Sequence, residues 1–234
     1  MTVLHAGGRR EFRMVTSDLE EAVAAVSRVY CDHELTVRGG DEAISSSLEV
    51  SGGIQPVVSL RYSARVRIDA GDFENLLLVK TCTAGSATAR QGAASLSFAR
   101  GQTVPLSPWT PTLLDFDRSF AQRSVRLDVD RIERLCSGYL NRPLDAALRF
   151  DLRTFSPALE RAWTDAVDLV LAFERRGVPL PAASATRLDE FMQSLLLELH
   201  PHNHSQAMRG PHRLATPRAA RGGAHDANGS PGPA

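Results

Sequence analysis

Three histidines crowd one short stretch, His200, His202 and His204, and clustered imidazoles are the raw material of metal centres. A metal site needs ligand nitrogens that converge on one ion at about 2.0–2.1 Å, together with further ligands. Neither a fixed geometry nor those ligands is visible around His200-Pro201-His202-Asn203-His204. Pro201 should end the helix before it, so the segment is expected to be an exposed structural elbow leading to Ser205. Between His33 and His200 the chain has no histidine. The segments between them therefore cannot offer the imidazole pair that a metal-dependent oxygenase or isomerase would need.

The remaining chemistry-bearing residues are sparse. Asp115 and Asp117 would share one face of a strand, where carboxylates two apart are more often solvated than paired for acid–base work. No GxSxG, Walker or GxGxxG pattern occurs, and the glycines between Gly85 and Gly101 lack the strand–turn–helix setting of a phosphate cradle. Cys31, Cys82 and Cys136 are widely separated with no CxxC spacing, which suits buried thiols better than a disulfide framework or a zinc site. No catalytic residue, metal or cofactor is assigned.

One cation stands apart. Lys80 is the only lysine among 27 basic residues. Leu76, Leu78, Lys80 and Cys82 alternate onto one face of a strand, and Leu77, Val79 and Thr81 onto the other. If the first face looks inward, Lys80 anchors an anionic or carbonyl ligand. The preferred alternative places the strand end at the rim, with Lys80 snorkelling to water. Arg61, Tyr62, Trp109 and Phe116 join Lys80 as the candidate ligand pocket. The aromatics among them would supply contact area, and they serve equally well as ordinary core.

These residues need elements to position them. The chain has 234 residues, 43% hydrophobic and 23% charged, with 27 acidic side chains balancing the 27 basic ones. That balance excludes a polybasic nucleic-acid coat and an acidic solvating tail for the chain as a whole. A helix is expected over about 17–31, opened by a capping box at Ser17-Asp18-Leu19-Glu20 and carrying Leu19, Val23, Val26 and Tyr30 on one face. Strands follow near 34–38, 44–50, 57–62, 65–69, 75–83, 86–91, 94–98, 103–107, 112–116 and 122–128, with glycine-bearing turns between them. So many short strands mean a sandwich or a barrel.

From 129 the period becomes helical. Ile132, Leu135, Cys136 and Tyr139 outline one helix. A second starts at Ser156-Pro157 and runs to Arg176, burying Leu159, Trp163, Val167, Val170 and Phe173. A third spans about 185–200, with Leu188, Phe191, Met192, Leu195 and Leu199 inward. The expected organisation is a helix plus β unit over 1–128, a helical subdomain over 129–208 and a disordered tail over 209–234. In that tail 15 of 26 residues are glycine, proline or alanine. Its four arginines suit a solvated tail, with only non-specific phosphate attraction. Met1–Arg13 is polar, and the longest apolar runs fall far short of the ~20 residues of a membrane span, so a cytoplasmic location is expected.

Several stretches, in order, resemble the N-terminal effector-binding (AraC-binding-like) half of AraC-type bacterial transcription regulators. They are Asp18-Leu19-Glu20-Glu21-Ala22 leading to Arg28-Val29-Tyr30-Cys31, Leu60-Arg61-Tyr62-Ser63-Ala64 with Val66-Arg67-Ile68, Thr83-Ala84-Gly85-Ser86-Ala87, Leu106-Ser107-Pro108 and Leu140-Asn141-Arg142-Pro143-Leu144. Pro201-His202-Asn203-His204-Ser205 is similar to the family's PHNYS-type signature, with histidine in place of the aromatic. The resemblance implies an α+β fold, a metal-free cupin-like antiparallel β-barrel or sandwich preceded by one helix and followed by a helical subdomain. It also implies an unknown small-molecule effector and dimerisation through the helices. Relatives continue past an arginine-rich linker into two helix-turn-helix units, and no segment after 210 could be a recognition helix here. The expectation is a non-catalytic sensor truncated before its DNA-binding part, with no specific DNA binding of its own. Alternatives are a stand-alone sensor, a dominant-negative partner that dimerises with a full-length regulator, and a metal-free β-barrel enzyme.

Overall fold

The computed structural model describes residues 12–39, 44–51, 56–73, 75–178 and 180–209. The strands are β1 (Phe12–Thr16), β2 (Glu34–Arg38), β3 (Ser46–Ser51), β4 (Val57–Tyr62), β5 (Arg65–Asp69), β6 (Leu76–Ala84), β7 (Ser86–Gln91), β8 (Ala94–Ala99), β9 (Thr103–Leu106), β10 (Thr112–Phe116) and β11 (Ala121–Asp128). The helices are α1 (Leu19–Val29), α2 (Val129–Leu140), α3 (Pro157–Arg175), α4 (Ala182–Leu199) and α5 (Ser205–Arg209). None of the described helices is long and apolar enough to cross a membrane.

Two antiparallel sheets face each other, in the orders β1-β3-β4-β11-β6-β9 and β2-β5-β10-β7-β8. Among the described residues no strand of one sheet pairs with a strand of the other, so the α+β fold takes the sandwich form instead of a closed barrel. The alternation predicted for β6 holds. Leu78 and Cys82 face the space between the sheets with Leu60, Val66, Phe98 and Phe116. Leu77 and Val79 face outward into a second core with Val125, Leu127, Trp163 and Leu196. The first sheet is thus a wall shared by two cores, the sandwich interior and the layer of C-terminal helices.

Three details differ from expectation. β1 precedes α1 and pairs with β3, a five-residue strand too short and polar to stand out. Asp18, not Ser17, caps α1: its carboxylate accepts from the Glu21 amide at 3.0 Å, and Thr16 Oγ1 donates to Glu21 at 2.6 Å. α4 turns Leu188, Met192 and Leu195 to the second core as expected, but it also buries Ala185, Asp189, Gln193, Leu196 and Leu197 and leaves Phe191 and Leu199 exposed. Asp189 accepts from Gln193 Nε2 at 2.8 Å and from Arg131 Nη1 at 2.9 Å, so two polar residues sit satisfied on the buried stripe. A face chosen by apolar residues alone is shifted toward Phe191 and Leu199. The expected tail beyond 209 lies outside the described residues.

Gly85 joins β6 to β7 at φ +71, and a Cβ there would stand 3.1 Å from Phe120 Cα. Gly101 has φ +82 with nothing within 4 Å. Gly101→Ala should cost about 1–2 kcal/mol from the left-handed backbone alone. Gly85→Ala should cost more, because the Phe120 backbone cannot move aside as a side chain could. Urea midpoints of the two variants check the order.

Candidate functional site

The interior strands present a row of polar groups among apolar ones. β11 turns Gln122 and Ser124 inward, where Ser124 lies opposite Lys80 of β6 and Gln122 opposite Cys82. Tyr30, the C-cap of α1, reaches the same place from the side. Lys80 is 4% exposed, so it does not reach water, contrary to the preferred sequence reading. Its Nζ donates to Gln122 Oε1 at 3.3 Å and sits 5.0 Å from the centre of the Tyr30 ring. The Tyr30 hydroxyl and Ser124 Oγ are 2.5 Å apart. Among the described residues no carboxylate pairs with Lys80.

Burial without a counter-ion pushes the Lys80 ammonium down to about 7. Burial also raises the Tyr30 phenol to about 12 and raises Tyr62 further still. Among the described residues four buried side-chain polar atoms have no hydrogen-bond partner: His33 Nε2, Ser46 Oγ, Tyr62 Oη and Gln122 Nε2. Ser46 lies directly across from Tyr62 in the β3–β4 pair. Aromatic walls back this group, with Phe116 stacked on Phe120 at 4.0 Å and Tyr62 6.2 Å from Phe116. On the outer side of Tyr30 lies a cleft of about 850 Å³, bordered by Ser27, Cys31, Asp72 and Arg126.

Of the sequence candidates, Tyr62, Lys80 and Phe116 are buried, with the Tyr62 ring 6.2 Å from that of Phe116. Arg61 does not join them. It alternates to the outer face of β4, beside Glu49 and Arg123. Trp109 does not either, being 50% exposed in a turn at φ +60. Sequence reasoning missed Gln122 and Ser124, although polar residues at alternate inward positions of an otherwise apolar strand were the available signal. Asp115 and Asp117 lie on the outer face of the second sheet. Two bonds from Arg67, at 2.6 and 3.0 Å, hold Asp115 below the usual carboxylate range. The backbone amide of Arg118 does the same to Asp117.

The histidine stretch is not the exposed elbow expected of it. His200, His202 and His204 are all buried. Their Nε2 atoms meet the carbonyls of Asp151, Leu197 and Ala146, each at 2.9 Å. A carbonyl only accepts, so each Nε2 carries the hydrogen. His202 Nδ1 then accepts from the His204 amide at 3.2 Å. Asn203 exchanges bonds with Arg149 in both directions, and its Nδ2 donates to Ala147. Pro201-His202-Asn203-His204-Ser205 is therefore a clasp that closes on the 146–151 segment. That segment is fixed in turn to the sandwich, since Phe150 N donates to Ser107 Oγ and Gln91 holds the Ser107 backbone. Among the described residues no three metal-ligating side chains converge.

No curated protein matches the sequence. Among solved structures, the chain is similar to the AraC-like transcriptional activator CuxR, with a TM-score of 0.60 at 8% identity over 81% of this chain and 72% of that one. Two further matches are partial. The EutQ protein of Clostridium difficile has a TM-score of 0.31 at 7% identity, over 50% of this chain and 95% of that one. A cupin superfamily protein of Desulfitobacterium hafniense DCB-2 has a TM-score of 0.24 at 9% identity, over 41% of this chain and 77% of that one. The model of the AraC-binding-like domain matches residues 22–199, spanning most of α1, nearly all of the sandwich and the helices through α4. The chain belongs to the AraC-binding-like domain family.

Proposed function

We propose that this chain senses a small-molecule effector for transcriptional control, holding it unchanged between the two sheets. The observation that carries the reading is Lys80, a buried cation with no carboxylate partner among the described residues, in contact with Gln122, whose own Nε2 lacks a hydrogen-bond partner. An unpaired charge in such a place is costly, and function is the usual reason such a cost persists. Tyr62, Lys80 and Phe116 line the site, joined by Tyr30, Gln122 and Ser124. Location in the cytoplasm belongs to the same reading.

The experiment is thermal unfolding of the chain against a library of small metabolites, followed by mass spectrometry of each stabilising compound. A compound that raises the midpoint for the wild type, leaves Lys80→Met unmoved and is recovered intact supports the reading. Chemical conversion of that compound would make the site an active site. Stabilisation indifferent to Lys80 would move the site elsewhere.

Self-association is assigned to the helical layer, where Leu169 of α3 and Phe191 and Leu199 of α4 are exposed. Sedimentation should find a dimer, and Phe191→Glu should weaken it at least tenfold. An unchanged dimer, or a wild-type monomer, would remove that assignment.

A further inference from the structure

The edge strands of the two sheets are β1 and β9, and β2 and β8, and three of them are guarded. β9 holds Pro105, which has no N–H to offer. At Thr103 its amide donates to Glu160 Oε2 at 2.8 Å, and its carbonyl accepts from Phe155 N at 2.9 Å. β2 carries Glu34 and Arg38, and β1 carries Arg13 beside α1, whose Arg28 lies over Phe12. Such devices keep an edge from pairing with another chain. β8 has none of them. Ala94–Ala99 contains no charge and no proline, and its register with β7 runs without a bulge. The turn before it fixes which backbone groups are free. Gly92, at φ +55, and Ala93 form a two-residue loop, so Gln91 and Ala94 close it as a hydrogen-bonded pair. Alternation then aims the N–H and C=O of Ala94, Leu96 and Phe98 at β7, and those of Ser95, Ser97 and Ala99 away from it. Ala99 shows the pattern: its outward amide donates to Gln102 Oε1 at 2.8 Å, and its carbonyl accepts from Gln102 N at 3.0 Å. Among the described residues nothing bonds the outward backbone groups of Ser95 and Ser97.

Donors and acceptors spaced in this way are complementary to themselves. We propose that β8 pairs antiparallel with β8 of a second copy of the chain, about a two-fold axis at Leu96. Ser95 then faces the partner's Ser97 and exchanges both hydrogen bonds with it, and the symmetry repeats the exchange. Leu96, half-buried in the single chain, meets its own copy as the closer, non-hydrogen-bonded pair. The same axis brings the partner's Arg100 opposite Gly92, at the tip of the hairpin. The turn that carries Trp109 rests on that tip. Gln91 Nε2 donates to Ser107 O and Thr112 Oγ1 at 2.8 Å each, and a Cβ on Gly92 would stand 3.9 Å from Thr110 Cγ2. Trp109 is half exposed and held at φ +60, an uncommon backbone for so bulky a residue. Arg100 is also exposed and has no ion pair among the described residues. An indole and a guanidinium brought to one place suit a cation–π contact, which a second copy supplies and an arbitrary strand need not. The two five-stranded sheets become one continuous sheet.

This surface is separate from the helical layer, so the test uses the full chain carrying Phe191→Glu, which leaves β8 untouched. Sedimentation at rising concentration should still show a monomer–dimer equilibrium. Ser97→Pro, added to that chain, deletes an outward N–H that the single chain does not use and should weaken the dimer at least tenfold. Ser95→Lys with Ser97→Lys should abolish it, as should Ser95→Glu with Ser97→Glu, because like charges then stand directly opposite. An equal mixture of the lysine and glutamate variants should restore it, a recovery that a merely misfolded variant could not give. Leu96→Cys should form a disulfide-linked dimer on mild oxidation, with the unsubstituted chain as the blank. Non-hydrogen-bonded partners bring their Cα atoms to about 4.5 Å, within disulfide reach, whereas Ser97→Cys faces the partner's Ser95 and should not cross-link. A monomer at every concentration, a dimer indifferent to the charged pairs, or a mixture that recovers nothing would overturn the β8 interface. None of these outcomes would touch the reading of Lys80 and the interior.

Discussion

Lys80→Met should make the chain more stable at pH 7.5, by about 3–5 kcal/mol. In the unfolded chain the lysine titrates near 10.5, and in the folded chain burial brings it to about 7. Between those values the unfolded state binds more protons, so stability rises with pH, at about 1.4 kcal/mol per unit for one group. The contribution is fully present above 10.5 and is lost as pH falls to about 7. Methionine has a similar stem and no charge, so it removes this penalty and keeps the packing. Chemical denaturation from pH 7.5 to 8.5 should show the wild type gaining stability and the variant nearly flat. From about 9 upward the trend is opposed, because the buried thiols of Cys31, Cys82 and Cys136 and then Tyr30 and Tyr62 stay protonated only in the folded chain. A variant less stable than wild type at every pH would mean that Lys80 finds compensation the described residues do not supply.

His202→Ala should be the most damaging single change in the helical layer, at about 3–5 kcal/mol. It strips the Leu197 carbonyl and the His204 amide of their partners, and each buried unpaired group costs about 1–3 kcal/mol. It also leaves a hole beside Phe150, whose ring centre lies 5.4 Å from that of His202. The same clasp makes the fold sensitive to acid. His200 and His202 are held below their usual value, first by burial, so the unfolded chain takes up their protons first. Stability from these two is complete above about 6.5 and is lost as pH falls below it. A proton on His202 Nδ1 would face the His204 amide hydrogen, and that bond of the clasp would be lost. Tryptophan emission from Trp163, buried against Phe155 in the second core, reports the event. An acid midpoint unaltered by His202→Gln would assign the acid sensitivity to His200 or His33 instead.

Glycine-marked turns and two-residue alternation made the strands from β2 to β11 readable in the sequence within a residue or two, because both signals are local. β1 was not readable, since its place in the sheet depends on β3, more than thirty residues away. The turned face of α4 was hidden for a related reason. Asp189 is tolerated inside only because Arg131 comes from another helix. At the site, alternation placed Lys80 and Leu78 on one face of β6 but could not say whether that face met water. Arg61 and Tyr62 are neighbours in sequence, yet a strand sends them to opposite faces, so both could not serve one pocket. The histidines were misjudged because Pro201 suggested an exposed end. In the fold that end is covered by the 146–151 segment, which supplies carbonyls that no local pattern announces.

The placement of the lone lysine also makes the chain a gauge of its own opening. A protease that cuts only after lysine has one bond to attack, Lys80–Thr81, and that bond lies in β6 between β11 and β9. Cleavage there demands that β6 come free of β11 and of the edge strand β9, since a protease needs an extended, accessible segment. When reclosing outpaces cutting, the rate at which the intact band disappears follows the open fraction. Any ligand held between the sheets would then announce itself by slowing a single scission, with no fluorescent label or enzymatic turnover required.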